Sequence, residues 1–309
     1  MATDGCALNQ ITRAAGLAGI LLALACTTST ETHEPRPFPT PFEVIAHRGA
    51  SAYAPENTIP AFQKAYALGV VDVELDIQLS QDGEVILFHD SSLREKTGEI
   101  GAVRDHLASD LLEMDIGRWF DRTHPEVEQK WSGTTLCTLG EVFERFGDRF
   151  HYHIELKSDD VELTARALDQ IRAHGLESRV RFTSFRFEQA ERARRLAPEI
   201  PTGLLVRDAA RLRREAPAPD GVTTLSLQQA EIDRARMAGI DQVGFPAEDL
   251  TPELIRYAQG RGLEIRAWRI RSDADMHRAI DLGAMGMTTN WPDRVVRELL
   301  RHKRRRTTR

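Results

Sequence analysis

The chain has 309 residues, 41% hydrophobic and 28% charged, with 21 Gly and 14 Pro spread along its length, an ordinary globular composition. A net charge of -6 sets aside a dedicated nucleic-acid binder, whose footprint would be basic over the whole domain. The length would permit two domains, but α/β barrels of this size fold as one, so a single large core is expected.

At the N-terminus, Ala14 to Ala25 is an apolar run of small residues and leucines, preceded by Arg13 and followed by Cys26 and a Thr/Ser/Glu/Pro stretch to Pro41. The run is too short to span a membrane and has the length of a signal-peptide core. Leu22-Ala23-Leu24-Ala25-Cys26 resembles a lipoprotein cleavage box, although Ala23 rather than a leucine stands three residues before the cysteine and Asp4 offsets Arg13. Residues 1–25 are therefore expected to be an export signal and 26–41 a linker, with Cys26 the candidate lipid attachment point. The expected location is exported: periplasmic, or membrane-anchored as a lipoprotein of a bacterium. Ordinary cleavage after Ala25 and an uncleaved helix are the alternatives. With Cys6 removed and Cys26 lipidated, Cys137 stands alone and forms no internal disulfide; its setting, Leu136-Cys137-Thr138-Leu139, reads as buried packing.

From Phe42 the pattern alternates. Phe42 to Ala46 reads as a buried strand, Thr58 to Leu68 as a helix capped by Asn57 or Thr58 and closed by Gly69, and Val70 to Leu75 as the next strand. Val85 to Phe88 follows the turn signal Gln81-Asp82-Gly83 and suggests a hairpin partner. From Ser91 to Thr135 the alternation lapses, and Trp119, Trp131, Gly117 and Gly133 suggest a loop-rich insertion over one face. It resumes with a helix at Leu139 to Phe146 and a strand at Tyr152 to Leu156. Further strands are expected at Val180 to Thr183, Thr202 to Val206, Gln242 to Phe245, Glu264 to Trp268 and Met285 to Thr288. Helices centred near Ala167, Ala193, Ile255 and Ala279 separate most of them, and Val295 to Leu300 closes the last turn. Eight strand-helix units imply a parallel sheet closed into a barrel. Thr223 to Leu227 is a ninth candidate strand with no place in that scheme. Arg301, Lys303, Arg304, Arg305, Arg306 and Arg309 make residues 301–309 a basic tail, read as a solvated terminus that could touch anionic lipid or nucleic acid.

Five polar clusters sit at or just beyond the ends of apolar runs: His47-Arg48-Gly49, Glu56-Asn57-Thr58, Glu74-Leu75-Asp76, His89-Asp90 and Glu155-Leu156-Lys157. Strand ends of an α/β barrel share one rim, where distant residues converge. Glu74 and Asp76, two apart in extended chain, point to one face, and two such carboxylates repel unless a cation lies between them. Oxygen-only ligands favour a hard divalent ion, Mg²⁺ or Ca²⁺. Glu155 and Lys157 repeat the spacing, adding a ligand and a cation for phosphate. His47 and His89 suit acid and base work near neutral pH. The Arg48 guanidinium can bind two phosphate oxygens, and Gly49 lets the backbone approach a ligand. No Gly-rich phosphate loop, Cys-pair zinc site or Ser nucleophile elbow is found.

His-Arg-Gly, Pro-Glu-Asn-Thr, Glu-x-Asp, Asp-Gly, His-Asp, Glu-x-Lys and a late Trp, in this order from about Glu43 to Leu300, resemble the glycerophosphodiester phosphodiesterases. The ordered set is specific, although each piece alone is not. The resemblance implies a TIM-type (β/α)8 barrel over 42–300, with a small insertion after the second strand at about 91–135. It implies one divalent cation, Mg²⁺ or Ca²⁺, on Glu74, Asp76 and Glu155, acid-base catalysis by His47 and His89, phosphate on Arg48 and Lys157, and Trp268 walling a glycerol pocket. Glu56 and Asn57 would brace the first loop. The implied reaction is hydrolysis of a glycerophosphodiester to sn-glycerol 3-phosphate and an alcohol, with a small-molecule substrate and no nucleic-acid partner. Alternatives are phospholipase D-type hydrolysis of lysophospholipid or sphingomyelin on the same barrel, and a non-catalytic glycerophosphodiester-binding surface lipoprotein. Three positions depart from the family pattern: Asn290 stands where Asp is usual after Thr289, Arg269-Ile270-Arg271 follows Trp268, and Cys137 replaces a frequent proline.

Overall fold

A computed structural model describes residues 42–215 and 221–307, with side chains as far as His302. The expected export signal, Cys26 and linker lie outside the described residues. Among the described residues, nine strands run in chain order: β1 Glu43–Ala46, β2 Asp72–Leu79, β3 Val85–Leu87, β4 His151–Leu156, β5 Val180–Ser184, β6 Thr202–Leu205, β7 Gln242–Pro246, β8 Glu264–Trp268 and β9 Gly286–Thr289. The helices are α1 Ile59–Ala67, α2 Arg94–Thr97, α3 Ala108–Leu111, α4 Gly117–Thr123, α5 Leu139–Phe146, α6 Leu163–Ala173, α7 Phe187–Leu196, α8 Ala209–Glu215, α9 Thr224–Met237, α10 Pro252–Gln259, α11 Asp273–Asp281 and α12 Pro292–Thr307.

The strands pair in the order β1-β9-β8-β7-β6-β5-β4-β2-β3, and β1 returns to β2 through Ile45 against Asp72 and Ala46 against Val73. All pairings are parallel except β2 with β3. The result is the expected eight-stranded TIM-type barrel with helices between its strands, and the hairpin strand β3 lies outside it. Thr58 caps α1, its hydroxyl accepting from Ala61 N, and Pro60 stands in the first turn, where its missing N–H costs nothing.

Two expectations need correction. Thr223 to Leu227 is no strand: Thr223 is the N-cap of α9, accepting from Ser226 N at 3.0 Å. The β-branched start is overridden because Gln228, Ile232 and Ala235 fall on one buried helical face. Strand β2 also runs to Leu79, so Glu74 and Asp76 are mid-strand and not at its end. Leu75, Ile77 and Leu79 pack in the core on one side, while Glu74, Asp76 and Gln78 form a polar stripe on the other.

The stripe faces a lumen that is polar where barrel centres are usually filled by branched apolar side chains. Arg266 on β8, 1% exposed, places Nη1 3.2 Å from His153 Nδ1 on β4, with three strands between them in the sheet, so the contact crosses the interior. His153 Nε2 in turn lies 3.7 Å from Asp72 Oδ1 and 4.0 Å from Glu43 Oε2. Burial, opposed by Asp72, lowers the His153 pKa to about 4, which fits a neutral ring accepting from Arg266. Outside the barrel, Ile86, Phe88, Leu93, Val103, Leu111, Ile116 and Leu136 form a separate cluster beneath α2 to α4. Trp131 ties this segment to the loop after β1, its Nε1 donating to Tyr53 O at 3.1 Å.

Candidate active site

Parallel pairing sets Asp76 of β2 beside Glu155 of β4, and Glu74 beside His153. One oxygen from each of Glu74, Asp76 and Glu155 lies within 4.8 Å of the others, and all three residues are buried. Burial, then repulsion from Asp76 and Glu155, pushes the Glu74 carboxyl well above the usual range. Burial would also raise Asp76, but Arg48, His89 and Lys157 hold it well below. Asp76 Oδ1 is buried without a hydrogen-bond partner, 3.6 Å from Lys157 Nζ. Three crowded carboxylates with an orphaned oxygen can hold a metal ion, and the all-oxygen donor set fits a hard divalent cation.

The loop after β1 grips this triad. Arg48 adopts φ 54° and Asn57 φ 57°, the left-handed region that ordinary side chains avoid. The strain aims Arg48 N at Glu74 Oε2, 2.9 Å away, and lets the Asn57 amide donate to Asp76 Oδ2 at 2.8 Å while accepting from Asp76 N at 3.1 Å. Asn57 thus braces a carboxylate of the triad directly. Gly49, at φ +79°, owes its identity to α1: a Cβ there would stand 2.7 Å from the Ala61 carbonyl carbon. That packing is reason enough for a glycine at this position. Arg48 is largely committed to carboxylates, Nη1 to Glu56 at 2.9 Å and Nε to Asp76 at 3.1 Å. Lys157 Nζ sits 2.7 Å from Glu155. Cys137 is buried, its Sγ 3.4 Å from Asn57 O, and burial pushes its pKa up.

His47 and His89 reach the rim on different supports. The His47 backbone N donates to Thr289 O, and its Nδ1 lies 2.6 Å from Asn290 Oδ1. An amide oxygen accepts, so Nδ1 carries the proton and Nε2, 3.9 Å from Glu74, is the free base. The ring keeps 31% of its surface open, yet burial of its inner edge, followed by Arg48, lowers its pKa to about 3. His89 Nδ1 instead meets a carboxylate, Asp90 Oδ1, at 2.6 Å. Gln78, third in the polar stripe, fixes that turn by donating to Phe88 O and Asp90 O at 2.8 and 2.9 Å. Lys96 of α2, 6% exposed, ties Asp90 to Glu56 at 2.9 and 2.6 Å. Sequence reasoning missed Lys96 and the supporting roles of Asp90 and Asn290. The His-Asp dipeptide was the one available signal, since Lys96 and Asn290 act only across the fold.

A cavity of about 430 Å³ opens beside the triad, its lining including His89, Glu155, Lys157, Phe185, Arg186 and Arg207. The volume lies within the roughly 300–1,000 Å³ of small-molecule sites. Trp268 does not line it; the indole packs edge-on against Phe185, ring centroids 5.1 Å apart. The structure therefore gathers Glu74, Asp76, Glu155, His47, His89, Arg48 and Lys157 on one rim and sets Trp268 against an aromatic wall of the cavity.

Residues 47–294 match the glycerophosphoryl diester phosphodiesterase family. The glycerophosphodiester phosphodiesterase of Bacillus subtilis (strain 168) is 33% identical over 258 residues, covering 81% of this chain and 83% of that protein. Its counterpart in Caldanaerobacter subterraneus subsp. tengcongensis is 30% identical over 257 residues, covering 82% and 96%. Among solved structures, a chain from Silicibacter pomeroyi DSS-3 is similar at a TM-score of 0.74 and 28% identity, over 85% of this chain and 94% of that one. An Oleispira antarctica phosphodiesterase in complex with the product sn-glycerol-3-phosphate has the same fold, at a TM-score of 0.69 and 23% identity over 83% and 96%. The chain belongs to the glycerophosphoryl diester phosphodiesterase family and is an enzyme that hydrolyses glycerophosphodiesters.

Proposed function

We propose that hydrolysis to sn-glycerol 3-phosphate and an alcohol uses one divalent cation, Mg²⁺ or Ca²⁺, held by Glu74, Asp76 and Glu155, with His47 and His89 as the proton-transfer pair. The observation that carries this reading is the buried triad flanked by two histidines with unlike partners. The product bound in the Oleispira antarctica relative supports the same product here. When bound, the cation supplies charge stabilisation to the phosphoryl oxygens. Lys157 and the N–H groups of Arg48 not taken by carboxylates add to it. His47, with a free Nε2, takes a proton from water or from the neighbouring glycerol hydroxyl. His89, whose ring is held at Nδ1 by Asp90, returns one to the leaving alkoxide. Trp268 stands behind Phe185 and supports that wall of the cavity from outside its lining.

The test is release of glycerol 3-phosphate from a panel of glycerophosphodiesters after chelation and readdition of each metal. Activity untouched by chelator rejects the metal, and wild-type turnover in both His47→Ala and His89→Ala rejects the pair, since acid-base catalysis supplies ~10² to 10⁴-fold. A p-nitrophenyl leaving group, which needs no acid, should rescue His89→Ala and not His47→Ala; the reverse pattern exchanges their roles. The N-terminal run and Cys26 support export of the enzyme with a lipid anchor, which a mass measurement of the mature N-terminus checks.

A further inference from the structure

Beyond Lys157 the cavity wall is cationic. Arg207, just after β6, is half-buried, with its guanidinium 4.2 Å over the ring of Phe185. Among the described residues, no carboxylate oxygen lies within 4.0 Å of its nitrogens. Arg104 and Arg186 line the same cavity. The acids in the lining are already engaged: Glu155 with Lys157, Asp159 with Arg186, and Asp160 as acceptor from Glu162 N at 2.9 Å. A guanidinium that has lost part of its water without gaining a carboxylate is stabilised by an anion that enters. Burial and then the nearby Arg211 lower the Arg207 pKa, and Glu215 and Glu155 offset this only in part.

The same geometry disfavours a trimethylammonium head group. Aromatic faces bind such cations within about 6 Å of the ring centroid. Phe185 already carries two cations at that range, Arg207 at 4.2 Å and Lys157 at 5.9 Å. A third would meet their charge.

We propose that this wall binds an anionic substituent, phosphate or carboxylate, on the leaving alcohol, and that Arg207 is the residue that sets the preference for it. The proposal deepens the phosphodiesterase reading above and rests on it. Preferred substrates are then glycerophosphodiesters with a second negative group, and choline diesters are poor ones.

The test compares kcat/KM for glycerol 3-phosphate release by the metal-loaded enzyme from four diesters. These are bis(glycerophospho)glycerol, the glycerophosphodiester of glyceric acid, glycerophosphoglycerol, whose leaving alcohol is uncharged and which is the neutral reference, and glycerophosphocholine. One charge-assisted contact predicts that a diester with an anionic leaving alcohol exceeds this reference by roughly 10- to 100-fold, with choline lowest. Arg207→Ala should collapse the anionic-to-neutral ratio towards one, and Arg207→Lys should restore part of it. Each ratio is taken within one preparation, so it survives a partly folded variant. Which anionic diester leads separates phosphate from carboxylate. A wild-type ratio near one, a choline diester turned over as fast as the anionic ones, or a ratio unchanged by Arg207→Ala overturns the proposal. Absence of product from all four diesters with every metal instead rejects the phosphodiesterase reading beneath it.

Discussion

Replacing Lys96 by methionine keeps the length of an apolar stem and deletes one buried ammonium. That ammonium joins Glu56, which holds Arg48, to Asp90, which holds His89. Breaking a buried pair from one side costs about 3–5 kcal/mol. Here Glu56 keeps Arg48 and Asp90 keeps His89, with Asp90 27% exposed, which places the cost near the lower end, about 3 kcal/mol. At roughly 2–4 °C per kcal/mol for a chain approaching this size, the melting temperature should fall by roughly 6–12 °C. Turnover should fall by roughly 10- to 100-fold, the usual effect of losing a group that orients catalytic side chains. Thermal melts followed by circular dichroism and glycerol 3-phosphate release, from one preparation, measure both. Lys96→Arg should recover much of each loss. A Lys96→Met protein that melts within about 2 °C of wild type and turns over normally would refute the claim that this lysine couples the two supports.

Three further outcomes are expected. Burial raises the Glu43 pKa from 4.5 to about 7, so the folded state holds that proton more tightly and stability falls as pH rises through this window; Glu43→Gln should remove the fall, and urea titrations at pH 5 and 8 with equal pH trends in both proteins would contradict it. Gly49→Ala forces a Cβ against Ala61 at a positive φ and should cost more than the roughly 1–2 kcal/mol of left-handed strain alone; an unchanged melt would dismiss the contact. Asn290→Asp places a carboxylate on His47 Nδ1, favours the imidazolium, and should move the acidic limb of kcat/KM to higher pH; an unmoved limb argues against His47 as base.

Strand-helix alternation was legible because each barrel strand buries an apolar face under a helix, and that leaves period-2 and period-3.6 signatures in local sequence. It misled at Thr223, where a cap and a β-branched start resemble a strand, and at the end of β2, where Asp76 and Gln78 break an apolar run without ending the strand. The triad could be read from spacing, since alternation alone puts Glu74 and Asp76 on one face. The supports could not: Asn290 lies 243 positions from His47, and Lys96 lies 40 from Glu56. Nor could sequence show that Arg48 spends two of its nitrogens on carboxylates, because that depends on how the loop after β1 folds over β2.

The charged lumen limits how this barrel can change. Glu43, Asp72, His153 and Arg266 meet across the interior from four strands, so none can turn apolar alone without stranding an opposite or polar partner. Concerted replacement of such a set by well-packed apolar residues is often neutral or stabilising, whereas single replacements are not. Drift along the barrel axis therefore proceeds in coupled steps. Because the charge of Arg266 also reaches Glu74 and Glu155, a step taken at the floor of the barrel is felt at its mouth.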